Sequence, residues 1–287
     1  MGRGRGVAGL ALVVALTTAC TAAGPVGVRV PAGASAPTSG TTPRPAVPPV
    51  DGATAPDLAA AVARAVEGAD GVDLAVSVLD LATGASAGHR GDVPFHTASL
   101  SKLLVAVDLL SSGEVDDADR ERLRRALSDS DDEAMNELWT GHDGPGAVDR
   151  VSELVGLRST RAPVDPSQWG DVEMSADDLV RLYRYVLTTL PEAARTFVVD
   201  ALSTAPATAA DGFDQAFGLL KPGVDGYAKQ GWMWYYPTDL YLHSAGVVGH
   251  RYAVALLSVQ SSISPDDARG HLDDITRALL SSFAPEH

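Results

Sequence analysis

Thr97 to Leu110, TASLSKLLVAVDLL, is the stretch whose reading decides the fold. It reads as a helix that opens with the polar turn Ser99-Leu100-Ser101-Lys102 and runs on into apolar residues that need a core to pack against. At about 100° per residue, Ser99 and Lys102 lie roughly one turn apart on the same face, while Ser101 points nearly the opposite way. Only Ser99 and Lys102 can work as a pair. A serine hydroxyl needs an adjacent base to act as a nucleophile at neutral pH, and a lysine can serve if burial or a neighbouring cation lowers its pKa. The same spacing also fits an ordinary helix start with a solvated charge.

The composition narrows the classes of function. The chain has 287 residues, 45% of them hydrophobic, which is ample for a core in one or two domains. Its mean hydropathy of +0.04 argues against a multispan membrane protein. A formal charge of -15 and a pI near 4.7 disfavour nucleic acid and anionic lipid headgroups as partners, and no basic block offsets this. Of the 22 Lys plus Arg residues only Lys102, Lys221 and Lys229 are lysine. An amine can lose its proton in a protein site and a guanidinium cannot, so lysine in an arginine-rich chain points to chemistry. Simple compositional bias remains open for Lys221.

Residues 1–20 read as an export signal. Arg3 and Arg5 precede the apolar run Val7 to Leu16, which is too short to span a bilayer, and small residues lead into Cys20. Cys20 is the only cysteine, so an intrachain disulfide is excluded. Its position resembles the lipid-modified cysteine of a bacterial lipoprotein, which would attach the protein to the membrane through that lipid alone. Thr17 stands where such signals usually carry Leu, and plain secretion is the alternative. Residues 21–55 are rich in Ala, Gly, Pro, Thr and Ser and read as a disordered tether. A flexible coil of that length averages roughly 30–35 Å end to end.

The folded domain is expected over 56–287, with a sheet part at 56–98 and 221–287 and a helical part at 99–220. Helices are expected at Asp57–Glu67, Asp116–Leu127, Pro145–Val155, Ser175–Leu190, Pro191–Leu202 and Asp266–Phe283. Strands are expected at Val72–Leu81, Tyr227–Tyr235, Asp239–Val248 and Arg251–Gln260. Strands at both ends of the chain around a helical insert imply one sheet built from distant segments, with a groove where the insert meets it. Gly84-Ala85-Ser86-Ala87-Gly88 matches G-x-S-x-G, but His89 to Pro94 follows instead of the helix that a nucleophile elbow requires, so the pattern reads as a hairpin turn.

Ser99-x-x-Lys102, then Ser130-Asp131-Asp132, then Lys229-Gln230-Gly231 resemble the S-x-x-K, S-D-N and K-T-G motifs of the serine β-lactamase and penicillin-binding protein superfamily, in the same order and on the same kinds of element. Ala134 and Asn136 extend the likeness to class A β-lactamases. The resemblance implies an α+β fold, an antiparallel sheet flanked by helices with an all-helical subdomain. It implies Ser99 as nucleophile, Lys102 as base or proton relay, Ser130 as proton donor to the leaving group and Lys229 as the source of positive potential. Backbone N–H groups of Ser99 and Trp232 would form the oxyanion hole, and Asp132, Gln230 and Gly231 would line the substrate. No cofactor or metal is called for. The partner would be a β-lactam or a peptidoglycan-type peptide.

The departures qualify this. Asp132 replaces Asn and Gln230 replaces Thr, and both changes disfavour the usual β-lactam contacts. Ser130 follows Ser99 by only 31 residues, so the helical subdomain is trimmed. The deacylating glutamate of class A enzymes has no counterpart in an E-x-x-L-N pattern; Pro163–Glu173 offers Asp165, Asp171 and Glu173, and of these Asp165 is the weak substitute, a loop aspartate before proline being more often a turn former. The sequence therefore suggests an exported serine hydrolase that acylates slowly at Ser99 and deacylates poorly. A non-catalytic module binding cell-wall peptide or protein through Trp232, Trp234, Tyr235 and Tyr236 is the alternative, and an esterase or D-amino-acid peptidase is a third.

Overall fold

The structure, a computed structural model, describes residues 56–113, 115–235 and 238–283. Cys20, the 21–55 segment and Tyr236 lie outside them. Strands β1 (Asp73–Asp80), β2 (Ser86–His89), β3 (Pro94–His96), β4 (Glu173–Ser175), β5 (Gly226–Tyr235), β6 (Asp239–Val248) and β7 (Tyr252–Ser261) form two sheets. The larger runs β2-β1-β7-β6-β5, antiparallel throughout, so β5 is an edge. The helices are α1 (Leu58–Glu67), α2 (Ser101–Ser112), α3 (Asp117–Ser128), α4 (Asp132–Gly141), α5 (Gly144–Val155), α6 (Ala176–Thr188), α7 (Glu192–Ser203) and α8 (Pro265–Leu280).

Alternation along β7 decides which helices cover which face. Val254 and Leu256 pack with Leu58 and Val62 of α1 and Leu272 and Ile275 of α8. Ala253, Ala255 and Leu257 point the other way, into a core shared with α2 to α7. All of these strand residues are buried, as expected of a sheet covered on both faces. Among the described residues no helix is long and apolar enough to cross a membrane. The G-x-S-x-G pattern makes a turn, with Gly84 at φ +77 and an exposed Ser86 opening the edge strand β2.

The small β3–β4 sheet was not legible in advance. It pairs Phe95 with Met174 and His96 with Glu173. The Thr97 N–H then donates to the Val172 carbonyl at 2.8 Å. The chain entering the Ser99 turn is thereby fastened to the loop before α6. On its other side it meets β5 so closely that a Cβ on Gly231 would lie 2.7 Å from the Thr97 carbonyl. The expected helix start is correspondingly tighter, a 3-10 turn over Ala98–Leu100 before α2 begins at Ser101.

Three buried polar groups hold this frame. Tyr183 on α6 donates to the Ala245 carbonyl at 2.6 Å and accepts from the Lys229 N–H at 3.2 Å, which fixes β5 beside β6. Asp178, fully buried, accepts from the Arg158 N–H at 2.9 Å, the Ser159 N–H at 2.7 Å, the Thr160 hydroxyl at 2.8 Å and the Arg181 guanidinium at 2.7 Å. His243 on β6 accepts from the Ser258 N–H at 3.1 Å through Nδ1, which leaves Nε2 to donate to the His96 carbonyl at 2.9 Å.

Burial pushes His243 down to about 4. In the unfolded chain it binds its proton near 6.5, so between those values the unfolded state holds more protons and is favoured by acid. His243 therefore contributes stability that is complete above about pH 6.5 and is lost as the pH falls to about 4, up to about 3 kcal/mol. Urea titrations across that window should show His243→Gln with a shallower decline than wild type. Parallel curves would remove His243 as a cause.

Candidate active site

The three motif segments meet where α2, the α3–α4 loop and β5 converge. The Lys102 ammonium donates to Ser99 Oγ at 2.9 Å, to the Ser130 carbonyl at 2.7 Å and to Asp132 Oδ1 at 2.6 Å, with Ser130 Oγ a longer 3.3 Å away. Lys229 Nζ donates to Ser130 Oγ at 2.8 Å and to the Gln230 carbonyl at 2.9 Å. An unbroken chain of polar atoms thus runs from Ser99 through Lys102 and Ser130 to Lys229. All four residues are no more than 4% exposed.

The backbone is bent to make these contacts. Ala98 and Ser130 both adopt left-handed φ, +46 and +56. Such a conformation costs a residue with a Cβ roughly 1–3 kcal/mol and persists only where surrounding contacts impose it. At Ser130 it leaves the carbonyl pointing at Lys102, one residue before Asp131 caps α4 by accepting from the Glu133 and Ala134 N–H groups. Asp131 also pairs with Arg125 at 2.9 Å.

Two lysines so close cannot both hold a proton comfortably. Burial drives Lys229 well below the usual lysine range, and repulsion from Lys102 pushes the same way. Burial also lowers Lys102, but the Asp132 carboxylate opposes that shift. The Asp132 side chain is 56% exposed and the Lys102 side chain is fully covered, so the pair joins a buried cation to an anion at the surface. Asp132 thus favours the protonated form of Lys102, whereas burial and Lys102 both disfavour it at Lys229.

The groove above this floor encloses about 440 Å³ and brings Ser99 and Asp132 together with Trp169, Asp171, Asp211 and Trp232. Trp169 was missed in the sequence. It sits in the 3-10 turn Trp169–Asp171, its ring 4.8 Å from Lys102 Nζ and its indole N–H donating to Asn136 Oδ1 at 2.7 Å. Only its place on the loop after the second motif, three residues beyond Pro166, hinted at a role. Trp232 stacks on Phe213 with ring centroids 4.7 Å apart and donates to Asp211 at 3.0 Å.

Two expected site residues are placed elsewhere. Gln230 is fully buried and its amide donates to the Phe217 and Gln215 carbonyls, on the far side of β5 from Lys229. Successive strand residues face opposite ways, and with its amide spent on those carbonyls Gln230 is not among the residues lining the groove. Asp165 is exposed and turned back on its own loop, accepting from the Ser167 N–H at 2.9 Å and the Ser167 hydroxyl at 2.8 Å. Those bonds lower its pKa, which makes it a weaker base, and it does not line the groove. Gly231, expected to line the substrate, is packed against the Ser99 turn and is not among the residues lining the groove. A larger hollow of about 800 Å³ lies beside α8, near Lys221 and Arg251, and holds no residue of the three motifs.

Known proteins resemble this chain in sequence or in fold. Residues 57–122 match the model of a family described as the β-lactamase enzyme family. The fold and the motif residues define a β-lactamase-like protein, and the chain belongs to that family. Proteins of Mycobacterium tuberculosis and Mycobacterium bovis provisionally named lipoprotein LppW are 34% identical over 229 residues, covering 74% of this chain and 70% of theirs. A β-lactamase from Chitinophaga pinensis superposes with a TM-score of 0.65 at 15% identity, over 78% of this chain and 98% of that one. A variant of the class A β-lactamase of the last common ancestor of Gram-negative bacteria gives 0.61 at 20% identity, over 80% and 99%. The two solved structures are alike in fold.

Proposed function

We propose that this protein is an exported, lipid-anchored serine hydrolase of β-lactamase type that forms an acyl-enzyme at Ser99 and releases it slowly. The observation that carries this is the buried chain from Ser99 Oγ through Lys102 Nζ and Ser130 Oγ to Lys229 Nζ, every link of it 2.8 to 3.3 Å long. Ser99 Oγ attacks an amide or ester carbonyl, and its proton passes to the lysine pair. Ser130 relays a proton to the leaving nitrogen or oxygen, resupplied from Lys229. The backbone N–H groups of Ser99 and Trp232 receive the oxyanion. Gly231, having no side chain, lets β5 lie against the Ser99 turn.

Slow release follows from what the loop presents. Trp169 covers Lys102 where a carboxylate would be needed to activate water, and Asp165 is held by Ser167. The substrate is a small acyl compound, a β-lactam or a cell-wall peptide. The lipoprotein name of the mycobacterial relatives and the Cys20 signal support anchoring at the membrane.

Intact-mass spectrometry after exposure to a fluorophosphonate and to a penicillin tests the reading. One adduct per chain, persisting over hours and missing from Ser99→Ala, is expected. No adduct with either reagent would favour the second reading, a non-catalytic binding module. That reading draws on the Lys102–Asp132 ion pair, which keeps the lysine charged, and on Trp234 and Tyr235, 55% and 38% exposed at the end of β5.

A further inference from the structure

The groove's charge is opposite to the one a carboxylate-bearing substrate requires. Its lining holds Asp132, Asp171 and Asp211 and neither lysine nor arginine. Lys102 and Lys229 are the nearest basic groups, yet both lie beneath the surface, 1% exposed, and hydrogen-bond to Ser99, Ser130, Asp132 and the Gln230 carbonyl. A ligand carboxylate entering here meets anions at the walls and no free cation at the floor. The carboxylates are only partly occupied. Asp132 gives one oxygen to Lys102, Asp211 gives one to the Trp232 indole, and no group among the described residues donates to the Asp171 carboxylate. Trp169 and Trp232 add aromatic surface of the kind that attracts an alkylammonium group. The chain's charge of -15 adds a field of the same sign.

We infer that the groove above Ser99 favours acyl compounds carrying a positive charge, an ammonium or guanidinium group close to the reacting carbonyl, over those carrying a carboxylate there, so that the carboxylate of a penicillin slows its reaction with Ser99. This rests on the proposed reading for the identity of the site and goes beyond it in naming the substrate's charge. Asp171 and Asp211 act as specificity-determining residues, and Asp132 contributes through its free oxygen. The Ser99 turn sets where the carbonyl sits, and the three carboxylates set which neighbouring group is tolerated.

Three acetamides of matched length, ending in trimethylammonium, tert-butyl or carboxylate, separate charge from shape, because the first two are nearly isosteric. Their binding to the full chain carrying Ser99→Ala is read from tryptophan fluorescence, which removes any dependence on turnover. At an ionic strength of about 0.02 M the cation should bind at least about tenfold more tightly than the anion, with the neutral compound between, and the gap should close in about 0.5 M salt. The isosteric double variant Asp171→Asn, Asp211→Asn should narrow the gap severalfold with an unchanged circular dichroism spectrum. Equal affinities, a preference for the carboxylate, or no binding of any of the three would overturn the inference. Fluorophosphonate labelling of Ser99 reports separately on the chemistry. Labelling without charge preference sinks this inference alone, whereas charge preference without labelling sinks the hydrolase reading alone.

Discussion

Asp132→Asn is expected to raise the rate of fluorophosphonate adduct formation at Ser99 about tenfold near neutral pH, and to move the rising limb of the pH–rate profile to lower pH. The reason is the 2.6 Å contact between Asp132 and Lys102. A lysine acts as base only when neutral, and a carboxylate at that distance favours its charged form. Two unit charges at 4 Å interact by about 4 kcal/mol at an effective dielectric of 20. The Asp132 side chain is 56% exposed, so solvent screens much of that. About 1.4 kcal/mol is a fair remainder, which corresponds to a factor of ten in rate. The sign is firm, since removing an anion lowers the pKa of a neighbouring amine, and burial already pushes Lys102 the same way. A rate unchanged or slower in the variant, across the whole profile, would show that Lys102 is not the base.

Asp178→Ala should destabilise the domain by about 3–5 kcal/mol in urea unfolding, the range for removing one partner of a buried charged network. Asp178 is fully buried and receives two backbone N–H groups, a hydroxyl and a guanidinium. Alanine leaves all four donors without an acceptor and adds a void. The effect should reach the groove, because residues 158–160 begin the segment that carries Trp169 and ends at β4. Fluorescence of that loop's indole should broaden, and proteolysis should begin there. A loss under about 1 kcal/mol would mean that water replaces the carboxylate, and Asp178→Asn should fall between the two.

The motif spacing revealed more than the strand pattern did. Ser99, Lys102, Ser130 and Lys229 converge as the resemblance implied, because helix period and motif order already constrained them. Gln230 was misplaced for a reason visible in the sequence. A strand alternates, so Lys229 and Gly231 share a face and Gln230 faces Phe217, but a motif read as a triplet hides that alternation. Asp165 likewise precedes a proline, and its turn with Ser167 follows from that local chemistry. The β3–β4 pair and the Trp169 contact were not legible. Both join segments more than 60 residues apart through short stretches without periodicity, and only the assembled core brings them together. Asp132 shows the middle case. Its departure from Asn was plain in the sequence, while its pairing with Lys102 needed the left-handed turn at Ser130.

The indole of Trp169, latched to Asn136 and lying over Lys102, changes what this site would count. If Ser99 acylates as proposed and none of the groove's carboxylates primes water past this indole, each copy would consume one acyl group and stay spent for as long as the ester survives. The quantity that matters to the cell would then be the number of molecules present rather than a turnover number. Such a protein registers cumulative exposure to its acyl donor, and resetting it requires new synthesis.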